Sequence, residues 1–132
     1  MASIFTRIIN REIPAHIIAE DDHYISFMDI NPLTEGHCLV IPKREVDYIY
    51  DLDDETLCGL HLFAKKIALG VEKVVDCSRI GITVMGLEVP HAHVHLIPMN
   101  SMSDMEFSRP KLTPTQEELT VLADKIRAVI EL

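Results

Sequence analysis

Hydrophobic and polar positions change rhythm along the chain, and each change marks an element. Residues 4–9 (IFTRII) are mostly apolar and predict a short helical or irregular segment that ends before Asn10, with Pro14 restarting the chain. From Ala15 to Asp29 two runs rich in β-branched and aromatic residues flank the polar turn Glu20-Asp21-Asp22, which predicts two strands. Asn31-Pro32 opens a loop containing Gly36, and residues 37–42 (HCLVIP) predict a third strand stopped by Pro42. These three form an antiparallel meander. The period then changes. Leu57, Leu60, Ala64, Ile67, Val71 and Val74 recur three or four residues apart and place one apolar stripe along a helix. Asp53 is its candidate N-cap, and Asp54 and Glu55 in the first turn favour the positive end of the helix dipole.

Alternation returns in Arg79 to Met85 and in Ala92 to Met99, two further strands. In the last segment Thr113 is a candidate cap, Pro114 suits the first helical position and Gln116 stands at capping-box spacing. Leu119, Leu122, Ala123, Ile126, Val129 and Ile130 supply the buried face of a helix over about 114–131. The order β-β-β-α-β-β-α predicts an α+β fold, one five-stranded antiparallel sheet with a long helix and a C-terminal helix packed on it.

Composition narrows the setting. The length of 132 residues, 48% hydrophobic and 25% charged, is that of one soluble globular domain over 1–132. The apolar runs are too short to span a bilayer, so no membrane is expected as a partner. The first ten residues lack the layout of a signal peptide, and Ala2 stands where N-myristoylation needs glycine. Cys38, Cys58 and Cys77 are widely spaced and form no CxxC pair, which points to reduced thiols in a cytoplasmic protein rather than a disulfide framework or zinc knuckle. A net charge of −9 repels a long nucleic acid, although a small anion can bind where a pocket reverses the local sign.

The candidate chemistry sits in residues 90–99 (PHAHVHLIPM). On an extended strand His91, His93 and His95 share one face, while Ala92, Val94 and Leu96 share the other and belong against the helices. The histidine face must then border a polar cleft or solvent. One reading is a merely solvated strand face. A second is metal binding, because an HxH pair can place two nitrogens on one zinc, with Glu88 or His37 as further ligands; no cysteine pair or HExxH supports it. The third is phosphoryl chemistry, in which one neutral imidazole attacks phosphorus while its neighbours donate to phosphate oxygens.

The run HAHVHLI resembles the H-φ-H-φ-H-φ-φ signature of the histidine triad (HIT) family of nucleotide hydrolases and transferases. Residues 4–43, ending in GHCLVIPK, are similar to the N-terminal half of family members, particularly the purine nucleoside phosphoramidase branch, and the resemblance extends over about 4–99. It implies a nucleotide hydrolase that cleaves the α-phosphate bond of a nucleoside phosphoramidate or related conjugate through a nucleotidyl-histidine. It implies His93 as nucleophile, His95 as donor to the non-bridging oxygens, His91 as support, and His37 as the family's additional histidine. Asp29 matches the carboxylate that takes the ribose hydroxyls, and Phe5, Ile8, Phe27 and Ile30 match the apolar pocket for the base. The histidine at 95, where the transferase branch has glutamine, favours hydrolysis. The resemblance further implies a homodimer and no cofactor. His16, His23 and His61 match nothing in the motif and are expected outside the site. The alternatives are a non-catalytic purine nucleotide-binding protein and a zinc-dependent hydrolase on the HxHxH strand.

The chain leaves the pattern just before the triad. Family members carry an Asn, a glycine-bearing loop and a G-Q-S/T-V-like run there; in this sequence Met85, Leu87 and Glu88 stand at about the Asn, Gln and hydroxyl positions. Glu88 brings a carboxylate towards a site meant for phosphate. It is a candidate either to select an amine leaving group or to orient His91.

Overall fold

Asp21 closes the first hairpin by accepting hydrogen bonds from the backbone N–H groups of His23 and Tyr24, each at 2.8 Å. The surrounding strands are β1 (Ile17–Glu20) and β2 (Tyr24–Met28), in a computed structural model that describes residues 2–130. After β3 (Cys38–Pro42), helix α2 (Asp54–Val74), β4 (Arg79–Thr83) and β5 (Val94–Met99), the chain ends in α3 (Gln116–Val129); a short helix, α1 (Ile4–Ile9), precedes them all. The five strands form one antiparallel sheet in the order β1-β2-β3-β5-β4, the α+β architecture that the hydrophobic pattern predicts.

Alternation along the strands divides the core into two. On one face Val40, Val94 and Leu96 meet the α2 stripe of Leu60, Phe63, Ala64, Ile67 and Val71, and α3 adds Leu119, Ala123 and Ile126. Full burial of each large aliphatic here contributes about 1.5–3 kcal/mol. The helices approach closely because Gly70 has no side chain: a Cβ there would stand 2.5 Å from Ile130 Cγ1. On the opposite face Ile25, Phe27, Leu39 and Ile41 are covered by Phe5 and Ile8 of α1. The central strands β2, β3 and β5 are therefore buried on both sides, and the histidines sit among packed side chains.

Both long helices start on side-chain caps. Asp53 accepts from the Thr56 N–H at 3.1 Å, as its position before the stripe predicts. The cap of α3 lies two residues beyond the expected Thr113. Thr115 accepts from the Glu118 N–H at 3.1 Å, and Glu118 accepts from the Thr115 N–H at 2.9 Å. Both T-x-x-Q and T-x-x-E boxes are present in this stretch, and the carboxylate suits the positive helix end better than the amide does. Residue 131 of the expected helix lies outside the described residues.

Two strand ends are shorter than expected. β4 stops at Thr83 rather than Met85, and β5 begins at Val94 rather than Ala92. Ahead of Val94 the backbone finds other partners: the Ala92 N–H bonds to the Val46 carbonyl at 2.7 Å and the His91 N–H to that of Val89 at 2.8 Å. His91 and His93 thus sit on the segment that leads into the strand, and only His95 lies within the ladder.

Candidate active site

Strand register brings the polar groups together. His95 pairs with Leu39 across β3 and β5, and Leu39 pairs with Phe27 across β2 and β3, so His95 stands in the row that carries the α1-side core. His37 immediately precedes β3, where Gly36 adopts φ +92° to turn the chain into the strand. All four histidines are buried; His93 and His95 keep 5% and 7% of their surface, enough to be touched from one side only.

Hydrogen bonds fix the tautomers. The Leu33 N–H, which can only donate, points at His37 Nδ1 at 2.9 Å. Burial, with the Lys111 charge adding to it, pushes His37 down to about 4, so the ring is neutral at pH 7 and its proton is on Nε2. That proton faces His95 Nδ1 at 3.0 Å and, more distantly, Asp29 Oδ2 at 3.5 Å. His95 is pushed down to about 4 by burial and by the neighbouring His37 and His93. Accepting on Nδ1, it must carry its own proton on Nε2. The chain from Leu33 through His37 to His95 therefore ends in a fixed N–H donor.

His93 has the opposite polarity. Its Nδ1 lies 2.7 Å from the His91 carbonyl and donates to it, which places a proton on Nδ1 and makes Nε2 the nitrogen that can offer a lone pair. Neither His93 Nε2 nor His95 Nε2 is taken by a hydrogen bond among the described residues. The ring centroids of His93 and His95 are 5.1 Å apart, so the two nitrogens without a partner belong to adjacent rings. Phe5 packs edge-on against His93 with centroids 5.0 Å apart, and Phe107 against His95 at 4.9 Å.

His91 is fully buried and held on both nitrogens. Its Nε2 donates to the Pro42 carbonyl at 2.8 Å, and its Nδ1 accepts from the Ser3 hydroxyl at 2.9 Å. Burial holds its pKa below the usual histidine range, against the opposing pull of the Pro42 carbonyl and Glu45. Glu45 in turn accepts from the Ser3 N–H and the Thr6 hydroxyl, each at 2.6 Å. Those two bonds, Thr6 first, hold its carboxyl down at about 2.

A family model described as the HIT domain matches residues 10–102. The chain belongs to the HIT family. The adenosine 5'-monophosphoramidase of Schizosaccharomyces pombe is 31% identical over 134 residues, covering 99% of this chain and 100% of that protein. Among solved structures, a Hit-like protein involved in cell-cycle regulation from Bartonella henselae is 36% identical with a TM-score of 0.83, covering 96% of this chain and 94% of that one. A zinc-bound histidine triad family protein from Mycobacterium smegmatis is 28% identical with a TM-score of 0.82, covering 97% and 94%.

Within this HIT fold the other expected site residues fall into two groups. Asp29 joins His37 and His95, and its Oδ1 accepts from the Asn31 N–H at 2.8 Å. Phe5 and Ile8 of α1 cluster with Phe27 of β2, whereas Ile30 stands outside the cluster and is 56% exposed. Glu88 is exposed and makes no hydrogen bond among the described residues, so it does not orient His91. That task falls to Ser3 and Pro42, and the carboxylate behind them is Glu45. His16, expected outside the site, ties the residue ahead of β1 to α3 through Gln116 at 2.7 Å.

Asp29, His37 and His95 offer three atoms within 4.8 Å of one another, which by spacing could surround a metal ion. The donor chemistry does not fit one. A ligating histidine normally donates its second N–H to an acceptor, but His37 Nδ1 faces the N–H of Leu33. Binding a metal through Nε2 would then leave the ring without a proton, as an imidazolate. The cluster is built to pass a hydrogen bond, and His93 lies outside it.

Reading the sequence missed Ser3, Thr6, Glu45, Leu33 and Phe107. Ser3 carried a signal, since a serine just ahead of an apolar hexamer is a helix cap. The others are brought in by tertiary folding alone.

Proposed function

We propose that the protein is a nucleotide hydrolase that cleaves the α-phosphate bond of a purine nucleoside phosphoramidate or a related conjugate. The observation that carries this reading is the pairing of a lone pair at His93 Nε2 with an N–H at His95 Nε2, their tautomers set by separate hydrogen-bond chains. His93 attacks phosphorus and forms the N–P bond. The bond to the leaving amine breaks as that amine takes a proton from water, and His95 donates to the oxygen on which negative charge grows. Water then attacks the nucleotidyl-histidine and releases the nucleoside monophosphate. His91 supports the centre, His37 orients His95, Asp29 accepts from the ribose hydroxyls, and Phe5, Ile8, Phe27 and Ile30 contact the base. The phosphoramidase named among the relatives supports this substrate class. Exposed Glu88, in the loop before the triad, favours an amine over an anionic leaving group.

The same reading places the protein in the cytoplasm as a homodimer. β4 is an edge strand with Ile82 exposed, and α2 turns Leu62 and Leu69 outward, surfaces that a second copy can cover. The deciding experiment is the mass of the denatured protein after brief incubation with an adenosine phosphoramidate. A gain of one nucleotidyl group that disappears in His93→Gly is expected; binding of the nucleotide without any mass gain would leave a non-catalytic nucleotide-binding protein.

A further inference from the structure

Helix α1 does two things at once. Its inner face carries Phe5 and Ile8, and its N-cap, Ser3, reaches into the histidine cluster. The Ser3 hydroxyl oxygen accepts from the Thr6 N–H at 3.1 Å, and its hydrogen goes to His91 Nδ1 at 2.9 Å. The hydrogen cannot be supplied from elsewhere, because the Thr6 hydroxyl already gives its own to Glu45 at 2.6 Å. Ser3 and His91 are both buried, so water does not replace this contact. With Nε2–H on the Pro42 carbonyl, the His91 ring is anchored at one end to β3 and at the other to α1. Its own carbonyl is the group that receives the His93 Nδ1 proton at 2.7 Å.

We propose that Ser3, Thr6 and Glu45 are positioning residues for the nucleophile: they clasp the base-bearing helix to His91 and hold the carbonyl that aims His93. The inference rests on the hydrolase reading above. It adds that seating of the base against α1 and alignment of the attacking nitrogen are mechanically linked. A base that presses α1 onto the sheet tightens the clasp, so a nucleotide lacking a well-seated base reacts slowly even when bound.

Three substitutions separate this role from simple helix capping. Ser3→Thr keeps both the cap and the hydroxyl hydrogen. Ser3→Asp keeps the cap, but a carboxylate only accepts, so His91 must take a second proton to preserve the contact. Glu45→Ala frees the Thr6 hydroxyl. Expected for Ser3→Asp is a rate of nucleotidyl-enzyme formation about tenfold lower, the factor that one such hydrogen bond represents. AMP affinity should stay within about twofold, because the base and ribose contacts remain. Nitrogen-15 NMR of the imidazoles should show wild-type His91 as the Nε2–H tautomer and its Ser3→Asp counterpart protonated on both nitrogens at neutral pH. Ser3→Thr should match wild type in both readouts, and Glu45→Ala should slow nucleotidylation without weakening AMP. A Ser3→Asp protein that reacts at the wild-type rate overturns the proposal, as does a His91 tautomer that does not change. Should the wild type form no nucleotidyl enzyme, the hydrolase reading fails instead, and the His91 tautomer in Ser3→Asp still decides whether the clasp exists.

Discussion

Acid should unfold this protein through its histidines before its carboxylates. His37 and His95 ordinarily take a proton near 6.5, but in the folded state neither does until about 4. Between those values the unfolded chain binds more protons than the native one, so stability is full above about pH 6.5 and falls as the pH drops towards 4. At about 1.4 kcal/mol per pH unit, the gap is worth roughly 3 kcal/mol for each ring. The rings share a hydrogen bond at 3.0 Å and repel when both are charged, so the pair loses at most about 6–7 kcal/mol. That is comparable with the whole stability of a small domain. Urea denaturation at steps from pH 7 to 4.5 measures it. The wild-type midpoint should fall steeply below pH 6. A His37→Asn/His95→Asn variant should start less stable at pH 7 but lose much less on acidification, retaining only the shallower contribution of His91. A wild-type midpoint that is flat from pH 7 to 5, or a double variant with the full wild-type slope, would refute the assignment of two buried neutral rings.

Other expected outcomes follow from single contacts. Asp29→Ala should weaken AMP binding about tenfold, as expected for a lost charge-assisted hydrogen bond, while leaving the His93 tautomer intact; calorimetric titration of AMP measures this. Chelator treatment should leave nucleotidyl-enzyme formation unchanged, and added zinc should show no stoichiometric binding at the Asp29–His37–His95 group, both readable by mass spectrometry and metal analysis. Gly36→Ala should destabilise the fold by about 2 kcal/mol in urea, since φ there is +92° and the new Cβ would stand 2.8 Å from Val75 Cγ2.

What could be read from the chain depended on whether the information was periodic. The α2 stripe repeats every three or four residues and the triad every second residue, so Leu60, Ile67 and Val71 declared their face as plainly as His93 and His95 declared theirs. The strand alternation even separated Val94 and Leu96, which meet the helices, from the histidines opposite. Period does not report what lies above a face, and for that reason the histidines were expected beside a cleft or solvent although α1 and Phe107 cover them. Boundaries failed where two local signals competed, as at Thr113 and Thr115, or where a backbone group found a distant partner, as Ala92 does with Val46.

The two carboxylates make the same point for the site. Glu88 lies close to His91 along the chain and is the natural candidate to orient it, yet it is exposed and makes no hydrogen bond among the described residues, while its neighbour Val89 packs against the α1-side core. Glu45 is far along the sequence and carried no signal. It arrives because β3 delivers Pro42 to His91 Nε2, and the residues that follow Pro42 bring the carboxylate to the N-terminus of α1. A helix N-terminus with unpaired N–H groups attracts a carboxylate whatever its position in the chain. With Glu45 taken by the Ser3 N–H and the Thr6 hydroxyl, the nearest acceptor for the Ser3 hydroxyl hydrogen is His91 Nδ1 at 2.9 Å, against 3.4 Å to Thr6 Oγ1. The orientation of the first triad histidine therefore follows from the capping of a helix that also carries two of the expected base contacts, Phe5 and Ile8. The catalytic geometry and base recognition proposed above thus draw on the same few hydrogen bonds.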